Sequence, residues 1–151
     1  MLLSDGPTRL LVFGVGAERF AVPLSAVDEV IDAPELRPLP DASRAVLGVT
    51  LVRGVLVTIY DSRPLLNVEG GVDDAALLFV RNGRRVGLAV QALYDTIVAE
   101  QSDLRSAPGA GAGAGAGGSD KSLVGVIRRG SELIAVLDAD ALLDAAAAGE
   151  V

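Results

Sequence analysis

The stretch "LVRGVLVTIYD", Leu51 to Asp61, is a nearly unbroken apolar run in which one arginine stands beside one glycine. Its β-branched and aromatic residues favour strands, and the glycine allows the chain to reverse. The sequence therefore predicts two strands, Val46 to Val52 and Val55 to Tyr60, joined by a turn at Arg53-Gly54. A lone guanidinium is costly to bury in a strand. We therefore expect Arg53 to point outward at the tip of this hairpin.

Two roles are open for Arg53. The stiff strands can hold it in place for contact with a partner protein. Alternatively, it is a solvated turn residue, or it pairs with Glu29 or Asp61, and exposed ion pairs of this kind contribute only about 0 to 1 kcal/mol. Charge reversal separates these roles, because at an interface it adds repulsion and weakens binding while stability changes little.

Hairpin signals recur along the chain. The strongest lies in "AALLFVRNGRRVGLAV", because Asn82-Gly83 can adopt the positive φ angles of a type I′ turn. Two more hairpins are predicted, one from Arg9 to Val22 with its turn at Gly16-Ala17, and one that turns at Arg129-Gly130. Residues 91–99 fit a strand or a helix equally well. About nine or ten short strands at this spacing are typical of small barrels or sandwiches, so the predicted fold class is mainly β.

Two helices are predicted. Ser25, with Asp28 three residues later, resembles a capping box, so a short helix is expected to begin there and to end near Pro34. The segment "DADALLDAAAAGEV" is expected to form a C-terminal helix with Asp138 or Asp140 as its cap.

The composition changes abruptly after residue 106. Residues 107–119 are almost entirely glycine and alanine, which have little to bury, so the sequence predicts a flexible loop there. Shortening such a loop should leave stability almost unchanged, because the closure entropy varies slowly with loop length. The chain is expected to form a single domain over residues 1–151, with this loop inside it.

The composition also excludes several function classes. Half of the residues are hydrophobic, only three Phe and two Tyr are present, and the formal charge is −7. A core of aliphatic residues is expected, and a nucleic-acid groove is unlikely on this charge. The chain has no cysteine and no histidine, which removes disulfides, thiolate or histidine metal sites and the common nucleophile pairs. Neither a membrane span nor a signal peptide is indicated, so a cytoplasmic location is expected.

The remaining motifs do not indicate catalysis. "GVG" at Gly14 to Gly16 has Arg19 where a dinucleotide fingerprint needs its third glycine, and a hairpin turn explains it better. The adjacent acidic pairs are explained by helix capping and solvation. We therefore predict no enzymatic activity, no catalytic residue, no cofactor and no metal.

The order of the segments resembles one family. "LLVFGVGAERFAVPLSAVDEVI", a proline loop, "LGVTLVRGVLVTIYDSRPLL", "RRVGLAVQALYDTI" and "LVGVIRRGSELIAVLDADALL" are similar, over almost the whole chain, to the CheW-like coupling proteins of bacterial chemosensory systems. The most specific parts are the hairpin at "VRG" with the following "IYD", and the terminal "LDADALL". The resemblance implies two five-stranded SH3-like barrels, split near residues 62 to 75 and sharing a core.

The resemblance also implies a function without catalysis. Proteins of this family act as scaffolds in cytoplasmic chemosensory arrays, where they join the cytoplasmic tips of methyl-accepting chemoreceptors to the regulatory domain of a CheA-type histidine kinase or to another CheW-like protein. The matching positions here are partner-contact residues in the first barrel and receptor-contact residues between the barrels. The first set is Val27, Glu29, Gly48 and Arg53, and the second is Leu93 and Thr96.

Several positions depart from the family pattern. Leu51-Val52 replaces an Asn-Leu pair, Thr58 replaces a proline, Gln91 replaces an aspartate, and the Gly-Ala run replaces the stretch before the last hairpin. The chain therefore resembles a divergent member, of the kind found where one system carries several coupling proteins, such as the Frz gliding-motility system of myxobacteria. Since this region is expected to replace part of the second barrel's edge, kinase binding is expected to be weakened or lost while receptor binding persists. The alternative is a β-barrel regulatory module that binds an unrelated protein.

Overall fold

The computed structural model describes residues 6–40, 45–71, 73–106 and 122–148. These residues are mainly β, as predicted. They form ten strands: β1 (Thr8–Val15), β2 (Glu18–Pro23), β3 (Glu29–Asp32), β4 (Val46–Val52), β5 (Val55–Asp61), β6 (Ala75–Arg81), β7 (Arg84–Val90), β8 (Ala92–Ala99), β9 (Leu123–Arg129) and β10 (Glu132–Leu137). They also form two α-helices, α1 (Ser62–Leu66) and α2 (Ala139–Ala148), and two single 3₁₀ turns, Leu24–Ala26 and Gln101–Asp103.

The strands divide into two five-stranded sheets. We call the sheet with the order β3-β6-β7-β5-β4 the first barrel, and the sheet with the order β8-β1-β2-β10-β9 the second barrel. The predicted division of the chain near residues 62 to 75 is wrong. Because β10 pairs in parallel with β2, the second barrel takes strands from both ends of the described chain, and the first barrel is inserted between β2 and β8.

Each sheet curls until its two edges approach each other. In the first barrel, Arg37 lies shortly after edge strand β3 and exchanges two backbone hydrogen bonds with Val49 of β4, at 2.8 and 2.9 Å. In the second barrel, Arg105 lies shortly after edge strand β8 and exchanges two such bonds with Val126 of β9, both at 2.9 Å. The chain that leaves one edge strand therefore bridges to the opposite edge and partly closes each barrel.

The two barrels follow one pattern. In each barrel an edge strand (β3 or β8) is followed by a hairpin (β4–β5 or β9–β10) and then by a helix (α1 or α2). A second hairpin (β6–β7 or β1–β2) pairs in parallel with the strand before that helix. Asp61 and Asp138 occupy the same place in this pattern, because each carboxylate accepts a backbone N–H of the helix that follows. For α2, Asp138 is therefore the cap among the two candidates.

Three apolar clusters stabilise the fold, one between the two barrels and one inside each barrel. The central layer lies between the barrels and includes Phe13, Phe20 and Phe79, each no more than 2% exposed, with residues of α1 and α2. Smaller clusters fill the interiors: Leu10, Val12, Ala21, Ala99, Ile127, Ile134 and Val136 in the second barrel, and Val52, Val57, Ile59, Ala76, Leu78 and Ala89 in the first. The central layer therefore joins the two barrels into one packed body.

The helix predicted from Ser25 towards Pro34 is wrong. The structure has one 3₁₀ turn there, without a side-chain cap, and then strand β3. All four residues of β3 pair with β6, and Ile31 packs against the interior of the first barrel. Pairing with a distant strand satisfies the backbone and buries this side chain, so it outweighs a weak local capping signal.

The other predicted elements agree with the structure within a residue or two. The four predicted hairpins are present, the ambiguous residues 91–99 contain strand β8, and the C-terminal helix is present as α2. Within the described ranges, no helix is long and apolar enough to cross a membrane. The Gly-Ala loop predicted at residues 107–119 lies outside the described residues.

Candidate functional site

The tip of the β4–β5 hairpin places Arg53 outward, as predicted. Arg53 and Gly54 form a two-residue turn, with φ angles of 50° and 80°. Positive φ at both turn positions matches the right-handed twist of the strands on either side. The Arg53 side chain is 65% exposed. Two paired strands of seven residues each therefore hold a cation at the surface of the first barrel.

Glu29 is the partner of this arginine. Its two carboxylate oxygens accept hydrogen bonds from Nη1 and Nη2 of Arg53, at 2.5 and 2.6 Å. Parallel bonds of this kind fix the orientation of both side chains. The bond from Arg53 lowers the pKa of Glu29, which favours the ionised carboxylate. Arg53 is therefore outward, and it pairs with Glu29, which is one of the two partners named in the alternative role. Contact of Arg53 with a partner protein stays a prediction.

A second arginine completes the charge cluster. Arg85 of β7 makes an ion pair with Asp28 at 2.8 Å, and its Nη1 lies 3.5 Å from Glu29. Two carboxylates and two guanidinium groups therefore balance each other beside the start of β3. The sequence analysis did not find Arg85, because only the β3–β6–β7 pairing brings it to this strand.

Large exposed apolar side chains lie beside Arg53 on the same hairpin. Leu51 and Leu56 are each 64% exposed, and Val55 is 60% exposed. Leu51 and Leu56 oppose each other across the hairpin, so they share the outer face, whereas Val57 and Ile59 point into the barrel. We call Leu51, Arg53, Val55 and Leu56 the hairpin tip. Exposed apolar side chains beside an arginine are typical of a protein-binding surface. Because the run is apolar on both faces of the hairpin, the sequence has no alternation that distinguishes these exposed residues from the core.

Val27 precedes Glu29 by two residues, but its side chain is directed towards the central layer rather than the hairpin tip. It is half-buried against the central layer, and it lines a cavity of about 430 Å³ together with Phe79 of β6 and Leu143 of α2. Glu29, two residues later, belongs to the charge cluster. The turn before β3 thus connects the cavity beside α2 to the hairpin tip.

Gly48 is buried within β4, at a register shift of the β4–β5 pairing. A Cβ at this position would press against the backbone oxygen of Arg37. Glycine therefore allows Arg37 and Val49 to make the bridge that closes the first barrel.

Leu93 and Thr96 lie in the second barrel, on edge strand β8. They oppose Phe13 and Leu11 of β1, respectively. Directly opposed residues project to the same face of a sheet, so Thr96 shares the face of Leu11, which is directed towards the central layer. Leu93 lies at the register shift of this pairing and lines a cavity together with Val12 and Ile134 of the second barrel. Leu93 remains 36% exposed. These two residues are therefore in a different barrel from the ion pair, and Thr96 has the place in β8 that Val30 has in β3, opposite Leu77.

Within residues 6–40, 45–71, 73–106 and 122–148, no three acidic side chains group closely enough to hold a metal ion. The two features that stand out, the hairpin tip and the charge cluster, lie on the surface of the first barrel. The fold and the site together define a class of protein, a pair of small, partly closed β-barrels that carry a rigid hairpin tip with an ion pair.

Comparisons with known proteins place the chain within this class. The model of the CheW-like domain family matches residues 9–147. The chain therefore belongs to the CheW-like family.

Named relatives agree with this assignment. The chain is 30% identical over 109 residues to a chemotaxis protein CheW of Rhizobium meliloti, covering 70% of each chain. It is 25% identical to the chemotaxis protein CheW of Bacillus subtilis, over 90% of this chain and 86% of that protein. The crystal structure of the scaffolding protein TtCheW from Thermoanaerobacter tengcongensis superposes with a TM-score of 0.73 at 17% identity, over 88% of this chain and 90% of that one. That likeness shows the same two-barrel fold.

Proposed function

We propose that the protein is a non-catalytic adaptor of a cytoplasmic chemosensory array. It binds the cytoplasmic tip of a methyl-accepting chemoreceptor and couples it to a CheA-type histidine kinase regulatory domain or to another CheW-like protein. Family membership supports this proposal, and the hairpin tip is the observation that carries it. Three apolar side chains, each at least 60% exposed, lie within three residues of Arg53 on two paired strands. This arrangement offers apolar area and a directed charge without reordering of the chain.

The partner-contact residues of the proposal lie in both barrels. Val27, Glu29 and Arg53 supply side chains in the first barrel, and Gly48 acts through the backbone that it allows to pack. Leu93 and Thr96 on β8 supply the receptor contact. We propose that residues 1–151 act as one unit, because the central layer packs the two barrels against each other.

We also propose that the chain is a divergent member of the family, such as one of the Frz type, and that its kinase binding is weakened or lost. This part rests on the Gly-Ala run, which stands where the family has the stretch before the last hairpin. Micromolar binding of the purified protein to the regulatory domain of its cognate kinase would contradict it, whereas receptor binding without kinase binding would support it.

Charge reversal at Arg53 tests the adaptor function. The Arg53→Glu variant should bind a soluble receptor signalling fragment from the same organism about tenfold more weakly or worse, because the interface loses a contact and gains repulsion. Its melting temperature should stay within about 3 °C of the wild type, since exposed pairs contribute little. Arg84→Glu is the matched control, because Arg84 is an exposed arginine at the next hairpin of the same barrel. Isothermal titration calorimetry should show binding unchanged within about twofold in this control.

A charge swap separates partner contact from internal pairing. If Arg53 contacts the receptor, the double variant Arg53→Glu, Glu29→Arg should still bind weakly, although opposite charges again face each other. Full recovery of binding in the swap would show that only the internal pair matters. If the wild-type protein does not bind the receptor fragment, the proposed function is wrong.

A further inference from the structure

Within the described chain, strand β8 has only one neighbouring strand in its sheet. It is an edge strand that pairs along its length with β1 alone, and the register of that pairing shifts between Leu11 and Phe13. Edge strands with an irregular partner open more easily than central strands. Since β8 carries Leu93 and Thr96, its position decides how these two side chains are presented.

An arginine reaches β8 from the opposite edge of the barrel. Nη2 of Arg129, at the end of β9, donates a hydrogen bond of 2.7 Å to the backbone oxygen of Val98. This bond crosses the gap between β8 and β9, the two edges of the second barrel. A backbone acceptor is present whatever residue occupies position 98, so the contact constrains the main chain of β8 itself.

The first barrel has a comparable contact, although its acceptor is a side chain rather than the backbone. There Arg53, at the tip of the β4–β5 hairpin, crosses the gap between edge strands β4 and β3 to reach Glu29. In each barrel the backbone of one arginine, Arg37 or Arg105, therefore bridges the two edges. The side chain of a second arginine, Arg53 or Arg129, also reaches across the gap between these edges.

We propose that Arg129 is a positioning residue for the receptor contact, which it serves by holding β8 closed against the second barrel. This inference rests on the proposed function, because the proposed function assigns Leu93 and Thr96 of β8 to the receptor contact. The guanidinium does not itself touch the receptor in this proposal. It acts through the backbone of β8.

The chain offers a matched control next to this residue. Arg128 is also an exposed arginine, but its Nε donates to the backbone oxygen of Gly130, within its own hairpin. Methionine at either position keeps an apolar stem of similar length and removes every donor. Lysine at position 129 keeps one donor and the charge. The comparison of Arg129→Met, Arg129→Lys and Arg128→Met therefore isolates the hydrogen bond to β8.

Hydrogen–deuterium exchange on the full chain measures the position of β8 without any receptor. In Arg129→Met, amides of residues 96–99 should exchange about five- to tenfold faster, as expected for the loss of one charge-assisted hydrogen bond. Arg129→Lys should return most of the protection, and Arg128→Met should match the wild type. In a titration with the receptor fragment, Arg129→Met should bind about threefold more weakly or worse, with lysine restoring binding.

The outcomes separate this inference from the proposed function. Equal exchange of β8 in Arg129→Met and Arg128→Met would overturn the positioning role, as would global unfolding of Arg129→Met, because the bond acts on one strand only. Faster exchange of β8 with unchanged receptor binding would also overturn it. If the wild-type protein binds no receptor fragment, the adaptor function fails, and the exchange data alone decide whether Arg129 holds β8.

Discussion

Replacing Gly48 by alanine should destabilise the first barrel. The new methyl group would press against the carbonyl oxygen of Arg37, which is backbone and cannot move aside as a flexible side chain can. Relief requires the segment around Arg37 to lift from β4. This movement breaks the bridge to Val49, which consists of two backbone hydrogen bonds of 2.8 and 2.9 Å.

The expected loss follows from these two bonds. Each intramolecular hydrogen bond contributes about 0.5 to 1.5 kcal/mol net, so Gly48→Ala should lower the free energy of unfolding by about 1 to 3 kcal/mol. For a domain of this size, that loss corresponds to a drop in melting temperature of about 2 to 12 °C. Urea unfolding followed by far-ultraviolet circular dichroism, together with a thermal scan, measures both quantities.

Gly125→Ala is the control, because Gly125 has the same place in the second barrel. There the added Cβ would lie 3.0 Å from the backbone oxygen of Arg105, so a small adjustment relieves the contact. The loss in this variant should be clearly smaller than in Gly48→Ala. If Gly48→Ala is as stable as the wild type, or if Gly125→Ala loses more, the explanation of Gly48 by close backbone approach is wrong.

Two further predictions concern pH and helix capping. Because Arg53 lowers the pKa of Glu29 below its ordinary value of 4.5, the stabilisation from their pair is fully present above that value and is lost as pH falls through the folded-state pKa. The difference in urea stability between wild type and Glu29→Gln should therefore shrink between about pH 7 and about pH 3, and a constant difference would refute this. Asp138→Ala should cost about 1 kcal/mol in urea unfolding, because Oδ1 caps α2 by accepting from the backbone of Asp140, and Asp138→Ser should retain most of the stability. An equal loss in both variants would contradict the capping role.

Hairpins were predictable because their signals are local. Asn82-Gly83 and Arg53-Gly54 adopt the positive φ angles that their turns require, and the strands on either side follow from the apolar residues next to them. The capping of α2 was also visible, since it depends on one acidic residue before an alanine-rich segment.

The errors arose where distant segments decide the structure. Strand β3 forms because β6 offers a partner, and no signal within residues 25–34 reports the presence of β6. The division of the chain between the barrels depends on the parallel pairing of β10 with β2, which joins segments more than a hundred residues apart. No local pattern encodes such a pairing.

The candidate site was only partly visible for the same reason. The sequence predicted that Arg53 stands outward and named Glu29 as one of two possible partners. Arg85 was missed, because its distance from Glu29 depends on the order of strands in the sheet. The assignment of Val27, Gly48, Leu93 and Thr96 to partner contact came from the family resemblance and stays a proposal.

The insertion of the first barrel between β2 and β8 has a consequence for synthesis on the ribosome. Strands β3 to β7 are contiguous in the chain, so the first barrel can fold while β9 and β10 are still being translated. The β1–β2 hairpin emerges before the first barrel, yet its partner β10 emerges after it. Until then, β2 and the apolar face of this hairpin have no sheet to complete. The nascent chain therefore carries an exposed strand edge while the whole first barrel is synthesised, and this interval is when chaperone binding and aggregation compete with folding.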